Sequence, residues 1–243
     1  MLPSKTCTVY WSPAFVSDVD WNMLYYNPHS LFDQVRSLKV ESENNQNFIY
    51  CPAFGNFAKN TFLLKNPITS KFDITSTYEL RPKSKNFISS STREPTLNGC
   101  TLFKYGLTWI FFTEDDIEMT MTSPYFENVP HLKYGNLVPG KINISKWFRN
   151  INLEYNLHNG INEFCVEKDE TLAYLSFNTD KQVKLVRFEM TEKLYRIMHS
   201  TGNSSDWESW IPLVDRYKRF IETRTNKIVL NEIKKNLVDT DID

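Results

Sequence analysis

Between residues 107 and 190 apolar and polar side chains alternate in short runs broken by polar turns, and this period of two constrains the fold more than any other feature of the chain. The runs are LTWIFFT (107–113), IEMTMTS (117–123), KINIS (141–145), INLEYNL (151–157), FCV (164–166), LAYLSF (172–177) and KLVRFEM (184–190). Successive side chains of a strand point to opposite faces, so each run offers one face to a core. Ile117, Met119 and Met121 share one face, Glu118, Thr120 and Thr122 the other, and with EDD between them 107–113 and 117–123 read as a hairpin. EKDET, between FCV and LAYLSF, reads as a further turn. Short strands joined by brief turns predict a mainly β fold, a β-sandwich or jelly roll of cupin-like shape with about eight or more strands.

Within residues 140–157 the runs change phase. Ile142 and Ile144 are apolar at even positions, whereas Ile151, Leu153, Tyr155 and Leu157 are apolar at odd ones. Between them SKWFRN must be an irregular link if both runs serve one core, and it carries Trp147 and Arg149. Pro130, Gly135, Pro139 and Gly140 shape the preceding connection, which follows SPYFENVP (123–130).

A chain of 243 residues buries a sizeable core, and all-β chains of this length form single domains, so residues 1–243 read as one β-rich domain. Aromatic residues make up 14%, with only 7 glycines, which strengthens the β reading. The net charge of −1 argues against a surface given over entirely to polyanion binding. The longest apolar cluster, WIFF, is far short of the ~20 residues that span a bilayer, and the N-terminal segment lacks the apolar core of a signal peptide, so a soluble protein with no membrane association is expected. Cys7, Cys51, Cys100 and Cys165 are widely spaced and read as reduced, packed thiols.

Outside the alternating region, KTCTVYW (5–11) reads as a strand and NPHSLFDQVRSL (27–38) as a short N-terminal helix, capped by Asn27 with Pro28 in its first turn. ESENNQN (41–47) reads as a loop. NFIYCPAF (47–54) and NTFLLKN (60–66) read as paired strands turning at Gly55 and Asn56. The stretch 81–99, with Arg81, Lys83, Lys85 and Arg93, reads as a long loop or flap. Residues 191–238 form a C-terminal helical extension: a helix over 191–202 ending at Gly202, then a Ser205–Glu208 capping box opening a helix from about 206 into the 230s. Trp210, Val214, Tyr217, Phe220, Ile221 and Ile228 recur there at helical spacing, and the tail from 236 is expected to fray.

Several chemistries lack their motifs. None of His29, His131, His158 and His199 has a metal-ligand partner two residues on, and each reads as a solvated or singly hydrogen-bonded imidazole. Glu114, Asp115, Asp116 and Glu118 read as turn residues in preference to a cation site. G-x-S-x-G, P-loop and G-x-G-x-x-G motifs are absent, so no metal, cofactor or catalytic residue is assigned. Cys51 and Cys165 become nucleophiles only beside a histidine. Tyr125, Trp147, Arg149 and Cys51 are the candidates for lining a ligand pocket, the alternative being that Trp147 anchors a sheet corner while Arg149 satisfies loop carbonyls. Trp210, Val214, Tyr217 and Ile221 are the candidates for an interface. Arg216, Lys218, Arg219, Arg224, Lys227, Lys234 and Lys235 outnumber Asp215, Glu222 and Glu232, which fits either a solvated helix face or attraction to nucleic acid.

YCPAF, KNTFLLKNP, TSPYFENVP, VPGKINISKWFRNINLEYNL, FCVEKDETLAYLSFNTD and VKLVRFEM together resemble an uncharacterised protein family of tailed phages of aquatic bacteria. They are also distantly similar to a bacterial domain of unknown function, from which the chain departs at Glu167–Glu170, where that domain has a glycine-glutamate turn. The resemblance implies a viral origin and expression in the cytoplasm of an infected bacterium; it brings no catalytic residue. The expectation is a non-enzymatic phage accessory protein that binds a host or virion protein or itself. The alternatives are a cupin-like small-ligand binder or enzyme with a pocket near Trp147 and Arg149, and a nucleic-acid binder acting through the C-terminal helix.

Overall fold

The computed structural model describes residues 6–16, 24–41, 48–74, 91–93, 101–202 and 211–238. Strand exceeds helix, 39% against 28%, so the fold is mainly β, with a curled, half-barrel sheet and five α-helices among the described residues. The strands are β1 (Thr6–Pro13), β2 (His29–Ser30), β3 (Thr61–Lys65), β4 (Ser70–Asp73), β5 (Ser91–Arg93), β6 (Leu102–Thr113), β7 (Glu118–Thr122), β8 (Gly135–Leu137), β9 (Gly140–Asn143), β10 (Asn150–Leu157), β11 (Glu163–Val166), β12 (Thr171–Asn178) and β13 (Gln182–Arg187). The helices are α1 (Leu31–Glu41), α2 (Pro52–Ala58), α3 (Glu192–Gly202), α4 (Leu213–Glu222) and α5 (Thr225–Lys235).

A six-stranded sheet runs β13-β1-β6-β10-β8 with β5 added beside β6; a five-stranded sheet runs β2-β3-β12-β7-β9; β4 and β11 form a third, two-stranded sheet. The β1–β13 pair is parallel and the other pairs are antiparallel. One core takes side chains from all three sheets, among them Trp11, Tyr105, Trp109, Tyr155, Phe72, Phe164, Met119 and Leu175. A second core lies on the other face of the six-stranded sheet, where Tyr10, Ile110 and Phe112 meet α3, α4 and α5. A third joins Leu63 and Tyr174 of the five-stranded sheet to α1 and α2. WIFF loses its alternation because β6 is covered on both sides: Trp109 and Phe111 face the first core, Ile110 and Phe112 the second.

The phase change at SKWFRN is a change of sheet. β9 belongs to the five-stranded sheet and β10 to the six-stranded one, so even positions of one and odd positions of the other reach the same core. The same holds at EDD, where the hairpin expectation fails: β6 and β7 sit in different sheets and residues 114–117 form a corner between them. Lysines from elsewhere in the chain hold that corner, Lys234 on Glu114 at 3.3 Å, Lys181 on Asp115 at 2.5 Å, Lys146 on Asp116 at 3.0 Å and Lys141 on Glu118 at 2.6 Å. EKDET does turn the chain, with Asp169 at φ 68°, but β11 and β12 then pair with different strands.

Other expectations need correction. Residues 48–58 are helical, a 3-10 turn at Phe48–Tyr50 followed by α2, because Pro52 fits the first helical turn, where it donates no bond, and Gly55 N–H returns to the Cys51 carbonyl. The chain reverses after α2 at Asn60 (φ 59°), a residue type that tolerates the left-handed region. The N-terminal helix starts four residues later than Asn27, at Leu31; Ser30 accepts the Asp33 N–H, and His29 and Ser30 pair with β3. The single C-terminal helix is two, broken where Arg224 adopts φ 57°. The tail is pinned as far as Val238: Leu237 bridges to Phe188 and the Val238 N–H reaches the Arg187 carbonyl. Of the 81–99 stretch only β5 is described, paired with β6. Residues 42–47, Cys100, and the Ser205–Glu208 box lie outside the described residues.

Candidate functional site

α2 rides on the outer face of the five-stranded sheet and offers a different surface on each side. On one side it walls a groove of about 560 Å3 with α1 and the start of β13, adjoining a second depression of about 570 Å3 that shares Asn56, Lys59, Asn60 and Asp180 with it. Phe62 and the half-exposed Phe32 supply apolar surface, and Asp33, Asp180 and Lys59 supply charge. Asn60 fixes the wall shared by both: its amide donates to the carbonyls of Thr179 (3.0 Å) and Lys181 (2.7 Å) and accepts the Val183 N–H (2.9 Å).

On its other side α2 meets the 123–130 loop through rings. Phe54 and Phe126 pack edge to face at 4.4 Å, Phe57 lies 5.8 Å from Tyr125, and Tyr125 and Phe126 are 4.8 Å apart. Both loop rings remain open to solvent, Tyr125 53% and Phe126 39% exposed. Tyr174 of β12 lies beneath them, fully buried, 5.6 Å from Tyr125. Beside it the Glu127 carboxylate accepts the Thr171 hydroxyl, which in turn accepts from Lys65 at 2.6 Å. Burial pushes the Tyr125 and Tyr174 phenols above their ordinary range, more strongly at Tyr174, so neither is a base near neutral pH.

Trp147 and Arg149 lie on the outer face of the other sheet. The indole stacks on Tyr217 of α4 at 4.0 Å with an interplanar angle of 21°, and the Arg149 guanidinium sits 5.7 Å from the indole ring. Phe148, between them in sequence, is fully buried against Phe112, and its carbonyl accepts the Thr201 hydroxyl of α3 at 2.7 Å. SKWFRN is therefore the socket for the C-terminal helices. Burial raises the Tyr217 phenol to about 12, with the nearby Arg149 opposing the rise. The four ligand candidates do not converge: Tyr125 and the exposed Cys51, at the start of α2, share the α2 side, while Trp147 and Arg149 lock a helix. Of the interface candidates, Tyr217 is committed to Trp147, Ile221 packs on the second core and Val214 is 64% exposed; Trp210 lies outside the described residues.

The space between the sheets is filled by rings. Within it His131, read from sequence as an ordinary imidazole, is fully buried, with Nδ1 3.2 Å from Glu170 Oε2 and Nε2 3.4 Å from the Tyr155 hydroxyl. Desolvation lowers its pKa to about 4, so near pH 7 it is neutral, donating to Glu170 and accepting from Tyr155. Burial raises Glu170. The apolar neighbours Val129, Leu132 and Tyr134 are the only sequence signal of this burial. Cys165 lies beside Glu167 at 3.6 Å; burial and that carboxylate raise the thiol, the wrong direction for a nucleophile, and burial lifts Cys7 to about 11. Among the described residues no group of three or more His, Cys, Asp or Glu is placed to hold a metal ion, and no helix is long and apolar enough to cross a membrane. No protein-family model, curated protein or solved structure matches this chain.

Proposed function

We propose that the chain is a non-enzymatic binding protein whose contact surface is the α2 face. The observation that carries this reading is the pair of solvent-exposed rings, Tyr125 and Phe126, held by ring contacts to α2 beside a groove of about 560 Å3. Aromatic side chains on a rigid support give large contact area at little entropic cost, which is the composition of interface hot spots. The resemblance to phage proteins makes the partner a host or virion protein met in the bacterial cytoplasm. In the same proposal the two larger sheets form a sandwich around the first core, and the parallel β1–β13 pair departs from an all-antiparallel jelly roll. The cupin-like alternative loses support because Trp147 and Arg149 lie outside the intersheet space, which large side chains occupy.

The test is affinity purification from infected cells with the wild type and a Tyr125→Ser/Phe126→Ser variant of unchanged circular dichroism. The reading expects a protein retained by the wild type and lost with the variant. Identical sets of retained proteins reject it.

A further inference from the structure

The groove and the ring pair lie on different sides of α2, and the groove has a surface chemistry of its own. It holds about 560 Å3, and the adjoining depression about 570 Å3. Phe32, 46% exposed, and the partly buried Phe62 give the groove apolar patches. The wall between the two spaces contributes Asn56, Lys59 and Asp180 to both, and Gln182 joins it on the groove side. These four are exposed, and among the described residues their side chains make no hydrogen bond or ion pair, so their donors and acceptors are open to a ligand. Asn60, in the same wall, is the opposite case: its three bonds to Thr179, Lys181 and Val183 fix the backbone that carries Asp180 and Gln182. Open polar groups on a fixed frame lose little freedom when a ligand arrives. In the second depression Thr120, Ser176 and Asn178 extend the wall with further hydroxyl and amide groups.

We propose that the two depressions bind a neutral linear oligosaccharide lying across their shared wall. A sugar unit has C–H faces that pack on rings and hydroxyls that both donate and accept. The lining meets both needs, with rings in the groove and, along the wall, two amides that donate and accept, a carboxylate that accepts and an ammonium that donates. Asp33 and Asp180 outnumber Lys59 in the groove, a balance that does not attract phosphate or nucleic acid. A wholly apolar ligand would strip water from the wall residues without replacing their hydrogen bonds. Each volume falls within the range of small-ligand sites, about 300–1,000 Å3, and two such spaces joined at one wall suit a chain of sugar units better than a single one. This site goes beyond the ring-face reading and does not rest on it.

Isothermal titration calorimetry with maltotriose, mannotriose, triacetylchitotriose and, as a charged probe, trilysine tests the assignment. At least one trisaccharide binds saturably to the full chain, and its affinity varies little with salt because the ligand has no charge to screen. Asp180→Ala, at an exposed position between β12 and β13 and checked for folding by circular dichroism, weakens that binding about 10-fold, the loss expected for one hydrogen bond to a charged acceptor. Ile228→Ser, exposed on α5 in the helical layer, leaves it unchanged. The proposal is overturned if none of the three trisaccharides binds saturably, if Asp180→Ala and Ile228→Ser cause equal losses, or if trilysine binds with steep salt dependence while the sugars stay silent. The titrations contain no partner protein, so failure here leaves the ring-face reading to its own test.

Discussion

The two outer faces of the sheets use the same residue types to opposite ends. On the six-stranded sheet Trp147 and Tyr217 stack at 4.0 Å and Phe112, Phe148 and Phe220 interlock, so the aromatics join strands to helices. On the five-stranded sheet Tyr125 and Phe126 also pack ring to ring, yet both keep more than a third of their surface in water. What separates them is the covering layer: among the described residues α3, α4 and α5 close over the first set, and the short α2 borders the second. An aromatic residue is thus structural or available according to what lies above it, a property of tertiary order that a run of residue types does not carry.

If that contrast is right, stability and binding should respond to different faces. The largest stability effect falls on Phe148→Ala. Its ring is fully buried between Phe112 and the helices, and removal leaves a cavity costing about 3–5 kcal/mol. Urea unfolding measures this directly; a loss below about 1 kcal/mol would mean that the helical layer contributes little to the fold and would collapse the comparison.

Acid should act next, in the space between the sheets. His131 has its folded pKa lowered from 6.5 to about 4, so the unfolded chain takes up this proton first. Its contribution is fully present above pH 6.5 and is lost as pH falls from 6.5 towards 4, by at most about 3 kcal/mol. Glu170, raised by burial, works in the opposite sense and offsets part of the loss at the acid end of that window. His131 directly follows the loop bearing Tyr125, so hydrogen-exchange protection at pH 5 should fall at Leu132 and Tyr134, whose amides bond to Val129 and His131, before it falls in α4. Equal loss in both regions would show that the two faces unfold as one unit.

How much of this was legible in the sequence differs by level. The period of two located the strands from 107 to 190 because it reports burial of one face, but it carries no information about the neighbour across the ladder. That is why β6 and β7 read as a hairpin although they belong to different sheets. The phase change at SKWFRN did mark a crossing, since a reversal of the buried face requires one. The α2 segment was misread because Phe, Ile and Tyr favour strands, and Pro52 as a helix opener weighed too little against them. The break at Arg224 carries neither Gly nor Pro. Tyr125 and Trp147 were singled out as large groups able to line a pocket, with Trp147 alternatively anchoring a sheet corner; that they lie on opposite faces depends on α2 and α4, and the partners of His131 lie 24 and 39 residues away.

A paired substitution sharpens the contrast at smaller scale. Trp147→Ala removes a half-buried ring stacked on Tyr217 and should cost about 2 kcal/mol, whereas Tyr125→Ala, more than half exposed, should stay within about 1 kcal/mol. Binding to any partner of the α2 face should show the reverse order. Thermal unfolding of the two variants beside the partner's affinity for each is sufficient; a larger stability loss at Tyr125 would place that ring among the structural ones.

The smallest effect belongs to the point where the two faces are tied together. Asp116, in the corner from β6 to β7, accepts from Asn143 and Lys146, which flank the crossing from β9 to β10, so one carboxylate links both passages between the sheets. These bonds hold its pKa below the usual carboxylate range, Asn143 first and Lys146 second. The side chains are nevertheless exposed, 68% for Asp116 and 51% for Lys146, and water screens such a pair. Asp116→Asn should therefore cost no more than about 0.5 kcal/mol, shrinking further in high salt, and the lowered pKa places any loss in the wild type at the acid side of the ordinary aspartate range. A cost of several kcal/mol would mean that the crossings, rather than the layers covering the sheets, determine how the two faces are held.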